Sequence, residues 1–77
     1  MLRGPGQLNV TGRPGDTLSI LPIGGDAVDV SLAGLAYPLE RARLPLGTSR
    51  GISNVLDSHK ARIVVGAGAL IVIHTDR

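Results

Sequence analysis

The sequence predicts an all-β domain: a small antiparallel β-sandwich of jelly-roll type with no significant helix. Three observations carry this. Aliphatic and polar residues alternate with period two in several windows, and Gly and Pro signals cut the chain into about seven short runs. No window shows a 3.6-residue apolar period flanked by helix caps. With no Phe, no Trp and a single Tyr in 77 residues, the core has to be built from Val, Ile, Leu and Ala.

Residues 1–11 read as a lead-in or linker containing a candidate first strand. Met1–Gly6 carries two glycines and a proline, and Leu8 and Val10 alternate with Asn9. Gly12-Arg13-Pro14-Gly15 is a turn, since proline presets one turn dihedral and glycine accepts a positive φ. The sandwich domain is expected over 12–77. Thr17 to Ile23 alternates, with Leu18, Ile20 and Pro22 on one face, and its proline marks a sheet edge or strand end. Gly24-Gly25-Asp26 signals a turn. Ala27 to Ala33 alternates strictly, with Val28, Val30 and Leu32 inward. After Gly34 the alternation resumes through Leu35, Tyr37 and Leu39 and continues to Leu44, where Pro45 stops it. Leu46 to Asn54 is rich in Gly, Ser and Thr, and Asp57-Ser58-His59-Lys60 is a polar turn. Arg62–Val65 and Leu70–Ile73, split by Gly66-Ala67-Gly68, read as a hairpin whose second strand is covered on both faces.

The totals narrow the classes. One domain fills the chain, and at this size a single core only marginally offsets chain entropy, which favours a partner surface. The composition is 43% hydrophobic and 18% charged, too apolar for a disordered segment. Cysteine is absent, which removes disulfide frameworks and thiolate metal sites. The net charge is +2, from eight basic and six acidic residues. The basic residues form no run and a single ring is available for stacking, so no nucleic-acid partner is expected. The longest apolar stretch, Ile63 to Ile73, falls well short of the ~20 residues that cross a bilayer, so no membrane partner is expected either.

Few residues could carry chemistry. His59 and His74 have no Cys, Asp or Glu at metal-ligand spacing, so no metal site is expected. Asp16, Asp26 and Asp57 sit in turns, where Asp bonds local backbone. Gly66-Ala67-Gly68 lacks the third glycine of a dinucleotide loop and precedes a strand. Two stretches remain. Gly34-Leu35-Ala36-Tyr37-Pro38-Leu39 holds the only ring, which reads either as core or as an exposed face for a flat or cationic ligand. Leu46-Gly47-Thr48-Ser49-Arg50-Gly51-Ile52-Ser53-Asn54 gathers hydroxyls and an amide, which serve either the loop backbone or a ligand.

Three motifs stand in order and spacing: Pro14-Gly15-Asp16-Thr17-Leu18-Ser19-Ile20-Leu21-Pro22-Ile23-Gly24-Gly25, then Gly34 to Leu39, then Leu44-Pro45-Leu46 through Asn54. Together they resemble the C-terminal, thiamine-binding domain of thiamine pyrophosphokinase, over about Gly12 to Ile73. The resemblance implies a β-sandwich supplying the thiamine pocket of an enzyme that transfers pyrophosphate from ATP to thiamine, giving thiamine diphosphate and AMP. It implies that ATP and Mg²⁺ are bound mainly by an N-terminal α/β nucleotide-binding domain, that the enzyme is a cytoplasmic homodimer, and that this domain alone is inactive and holds no catalytic residue. Tyr37 stands where the family sets an aromatic residue, often Trp, against thiamine. Ser53 and Asn54 match a Ser-Asn pair that hydrogen-bonds the aminopyrimidine. Ser49 joins them as a thiamine contact, and Arg50, a guanidinium ill-suited to a cationic thiazolium, is the candidate phosphate contact. The alternative reading is a stand-alone β-sandwich binding or assembly module without a catalytic role.

Overall fold

The computed structural model describes residues 1–46 and 53–76. Among these every regular element is a strand: β1 (Leu2–Arg3), β2 (Gly6–Thr11), β3 (Thr17–Ala33), β4 (Leu39–Leu44), β5 (Ser53–Val55), β6 (Lys60–Val65) and β7 (Ala67–Thr75). All pairings are antiparallel. The 17-residue β3 organises them. Its first half, Thr17 to Ile23, lies between β5 and β7, with β1 beyond β7. Its second half lies between β4 and β6, with β2 beyond β6. One strand thus belongs to two sheets that face each other across an aliphatic core, as expected for a small sandwich.

The chain passes between the sheets at one corner. β3 crosses at Gly24-Gly25, with φ of 73° and 156°, and its register with β7 jumps from Ile23↔Ala69 to Val28↔Ala67. The expected turn is therefore a bend inside one continuous strand. Two other crossings lie beside it, Gly4-Pro5 between β1 and β2 and Gly66 between β6 and β7, tied in by Gly4 N–H to the Gly68 carbonyl at 2.8 Å and Gly66 N–H to the Val28 carbonyl at 3.0 Å.

This corner corrects three expectations. Met1–Gly6 is more than a lead-in or linker to the sandwich, because Leu2 and Arg3 pair with Leu70 and Ala69 of β7. β6 and β7 are not a hairpin: each pairs with β3, in different sheets, because a turn at Gly66 bends the chain over the sandwich edge instead of back on itself. β7 is covered on one face only within this chain, with Leu70 fully buried and Ile73 48% exposed. Pro22 lies within β3, and among the described residues it pairs with Leu70 alone. Its other side falls between β5 and β4, where no described strand pairs with it, and a missing N–H is tolerated at such a place.

The second half of β3 alternates less strictly than its sequence does. Ala27 pairs with Leu44 and Val30 with Ala42, so three steps on β3 oppose two on β4; Val30 to Leu32 then opposes Ala42 to Leu39, two steps against three. These compensating bulges centre on Asp29 and Arg41, both at positive φ (55° and 47°). The Arg41 N–H, turned out of the ladder, donates to Ser31 Oγ at 3.1 Å. As a result Ala27 is buried and Val28, expected inward, is exposed.

Leu18 and Ile20 from the first half of β3, Val30 and Leu32 from its second half, Ile63 and Val65 of β6, Leu70 of β7, and Leu35 and Leu56 make up most of the core. Both faces of a sandwich are filled by period-two side chains, so this list follows from the alternation of the strands. The described residues include no helix long and apolar enough to cross a membrane.

Candidate functional site

Gly34 to Pro38 was expected to continue a strand, but forms the connection from β3 to β4. Leu35 bridges to Leu56, the Ala36 N–H donates to the Val55 carbonyl at 2.8 Å, and the Asp57 N–H donates to the Gly34 carbonyl at 3.1 Å. The connection therefore runs along the free edge of β5. Leu35 is buried at 2% exposure and anchors it, while Tyr37, two residues on, is 66% exposed. Pro38 biases Tyr37 toward an extended backbone. The only Phe, Tyr or Trp ring of the chain belongs to the surface.

The structure brings Tyr37 and Asn54 together. Asn54, 2% exposed, accepts the Tyr37 N–H on Oδ1 at 3.0 Å and donates Nδ2–H to the Tyr37 carbonyl at 2.8 Å. Its Oδ1 also accepts the Val55 N–H at 3.0 Å. Ser53 is adjacent in sequence but faces the other way, since successive strand residues alternate. Asn54 is opposite the core residue Leu18, whereas Ser53 is opposite Ser19, in the row that includes Ile73. Ser53 is exposed on the outer face of β5. The other two residues of the expected site, Ser49 and Arg50, lie outside the described residues.

A second constellation was not visible in the sequence. Asp16, 2% exposed, accepts the Arg13 N–H on Oδ2 at 3.0 Å, and the same oxygen is 2.8 Å from His74 Nε2. Asp16 and His74 are 58 residues apart in sequence. Only the β3–β7 register, which sets Leu18 beside His74, makes them neighbours. Turn bonding at Asp16 follows the sequence reading, and His74 is held in β7. Asp76 completes a group whose donor atoms lie within 4.8 Å of one another, at a groove of about 860 Å³ also lined by Thr11 to Pro14. Asp76 is 92% exposed, and Asp16 Oδ2 already serves Arg13 and His74.

Asp26 works at longer range than turn bonding suggests. Its carboxylate accepts the Leu46 N–H at 2.8 Å and pairs with the Arg43 guanidinium, fixing the chain where β4 leads toward Ser49 and Arg50. The Leu46 hydrogen bond, with Arg43 second, holds its pKa below the usual 3.8. Bonds to the ionised form stabilise that form. The fold gains from this at pH values above the unfolded pKa and loses the gain as pH falls through the lower folded value. An acid titration followed at the Leu46 amide is therefore expected to show a midpoint below 3.8, absent in Asp26→Asn. A midpoint at or above that value would contradict the contact.

Comparison with known proteins gives these features a family. The family model described as thiamin pyrophosphokinase, vitamin B1 binding domain, matches residues 7–70. Among solved structures the chain is similar to thiamine pyrophosphokinase from Bacillus subtilis, at 26% identity and a TM-score of 0.87, covering 97% of this chain and 36% of that one. The thiamin pyrophosphokinase from Geobacillus thermodenitrificans shares the fold, with a TM-score of 0.80 at 23% identity, covering 95% of this chain and 34% of that one. This chain thus spans about a third of the length of either solved relative. No curated protein sequence matches it. The matched segment begins inside β2 and takes in β3 to β6 and the start of β7, including Tyr37, Ser53 and Asn54, and on that match the chain belongs to the vitamin B1 binding domain family of thiamin pyrophosphokinases.

Proposed function

We propose that this chain is the thiamine-binding part of a thiamine pyrophosphokinase, the enzyme that moves a pyrophosphoryl group from ATP to the thiamine hydroxyl and releases AMP. The observation that carries the reading is Tyr37. An aliphatic protein with one ring exposes 66% of that residue while holding its backbone at both the N–H and the carbonyl. Thiamine offers a flat aminopyrimidine and a cationic thiazolium, and an aromatic face suits both. Ser53, exposed on the outer face of β5, is the polar contact proposed for the pyrimidine edge, with Ser49 a second hydroxyl. Asn54 belongs to the same site.

The described residues of this chain do not fit a Mg²⁺–ATP site. Magnesium favours near-octahedral oxygen coordination and retains several waters. The grouping of Asp16, His74 and Asp76 includes a nitrogen donor, and its buried carboxylate is engaged by Arg13 and His74. We therefore assign ATP and Mg²⁺ to an N-terminal α/β domain, and expect this chain alone to be inactive. Phosphoryl-type transfer depends on positioning and charge stabilisation, and this chain contributes the positioning of thiamine. A cytoplasmic location, where ATP is available, is part of this proposal. Dimerisation is proposed from the outer face of β5 and β7, where Val55, Ile71 and Ile73 are exposed at 37%, 37% and 48%. Apolar surface gathered on one sheet face is a surface to cover, and a strictly monomeric mass in solution at high concentration would refute dimerisation.

Thiamine titration calorimetry tests the main reading. The chain alone is expected to give little heat. Binding should appear on addition of the part of the Bacillus subtilis thiamine pyrophosphokinase that lies outside the matched 36% of its length. No heat in either case would leave a stand-alone binding or assembly module as the function. Arg50→Ala is expected to weaken thiamine diphosphate binding about fivefold to tenfold, the scale of one charge-assisted contact, with thiamine binding unchanged. Loss of thiamine affinity alone would remove Arg50 from the phosphate role.

A further inference from the structure

We infer that Asn54 is a positioning residue, acting on the ligand through Tyr37 and not by its own contact. This deepens the thiamine-site reading and rests on it for the identity of the ligand. Three observations agree. The strand register turns Asn54 inward beside Leu18 and turns Ser53 outward beside Ser19, so the two side chains do not address one ligand from the same face. Asn54 is 2% exposed, whereas Tyr37 is 66% exposed. The hydrogen-bonding capacity of the amide is also nearly used up. Oδ1 has two lone pairs, and the N–H groups of Tyr37 and Val55 occupy both. Nδ2 has two hydrogens, and one goes to the Tyr37 carbonyl. The oxygen that would accept from the amino group of a pyrimidine is already committed.

A primary amide presents a donor and an acceptor side by side, the complement of the N–H and C=O of one extended residue. Asn54 uses both on Tyr37 and so supplies the pairing that a further strand would have given this connection. The Ala36 N–H to Val55 carbonyl bond holds the preceding residue, and Pro38 limits the backbone that follows. The ring is thereby exposed without being loose. Fixing a side chain before the ligand arrives lowers the ordering cost on binding, which is how a buried amide acts on a ligand it does not touch.

Tyr37 is the only aromatic residue, so it also reports on itself. In the unmutated chain without thiamine, hydrogen exchange at the Tyr37 amide is expected to be slowed at least tenfold relative to the amides of the exposed residues Ser58 and His59, and exchange at their rate would overturn the clamp. This measurement needs no variant to fold. Asn54→Asp keeps the shape and the acceptor but replaces the Nδ2–H donor with an oxygen facing the Tyr37 carbonyl. In the assembly that binds thiamine it is expected to lower affinity about tenfold in the Tyr37 protein, and less than twofold when combined with Tyr37→Ala. Its tyrosine fluorescence anisotropy should fall. Equal losses in both backgrounds would mean that Asn54 meets the ligand itself, and would overturn the inference. If no assembly binds thiamine, the ligand reading fails alone, and amide exchange and anisotropy still decide whether Asn54 fixes Tyr37.

Discussion

Tyr37→Ala is expected to weaken thiamine binding roughly tenfold to thirtyfold while leaving the fold intact. The magnitude follows from the interaction. A ring against a heterocycle or a cation contributes about 1.4–2 kcal/mol where water is partly excluded, and 1.4 kcal/mol is tenfold in affinity. Stability should change by less than about 0.5 kcal/mol, because an exposed side chain leaves no cavity behind. The Asn54 clamp engages only the main chain of residue 37, so alanine retains it. Tyr37→Phe should bind nearly as the parent does, since it keeps the face of the ring. Calorimetry with thiamine, paired with a thermal melt, separates the outcomes. Unchanged affinity in the alanine variant would remove the ring from the site.

The second large effect falls on the fold. Gly34 lies at φ 78°, and a Cβ there would overlap the Lys60 carbonyl oxygen and approach the Ala61 Cα to 3.1 Å. Neither atom can retreat easily, because Lys60 and Ala61 pair with Thr11 and Val10 in β2. Gly34→Ala therefore combines about 1–2 kcal/mol of left-handed strain with an overlap that displaces a paired strand, for roughly 3–5 kcal/mol in all. For a domain of this size that is about 12–40 °C in melting temperature, and a large part of a total stability of about 5–15 kcal/mol. Gly24→Ala is the control. Its φ is 73° with nothing within 4 Å of the added carbon, so only the strain term applies, about 1–2 kcal/mol. Equal melting temperatures for the two variants would show that the overlap with β6 is not real.

How much could be read from the sequence differs between fold and site. Period-two alternation gave the inward set Leu18, Ile20 and Pro22, because a strand writes its buried face directly into its sequence. It failed at Val28, where Asp29 at positive φ adds a residue to the ladder without any mark in the hydrophobic pattern. It failed again at Gly66, since a glycine that bends a chain over a sandwich edge looks the same in sequence as one that closes a hairpin. The site was partly legible. Tyr37 and Asn54 stood out by residue type, and the family motif set them in one neighbourhood, but that Asn54 grips the Tyr37 backbone depends on which face of β5 it occupies. That face is fixed by pairing with Leu18, thirty-six positions away. The Asp16–His74 contact left no trace at all, because two residues at opposite ends of a chain become neighbours only through register.

The strand shared by both sheets has one further consequence. β3 pairs with β4, β5, β6 and β7, so neither layer can peel away while the other stays closed without breaking the backbone they share. Among the described strands, local opening is therefore confined to the margins, at β1 and β2, and the interior behaves as a single cooperative unit. The Tyr37 connection is bonded to β5, which leans on that unit, so the proposed ligand face draws its rigidity from the strand common to both sheets.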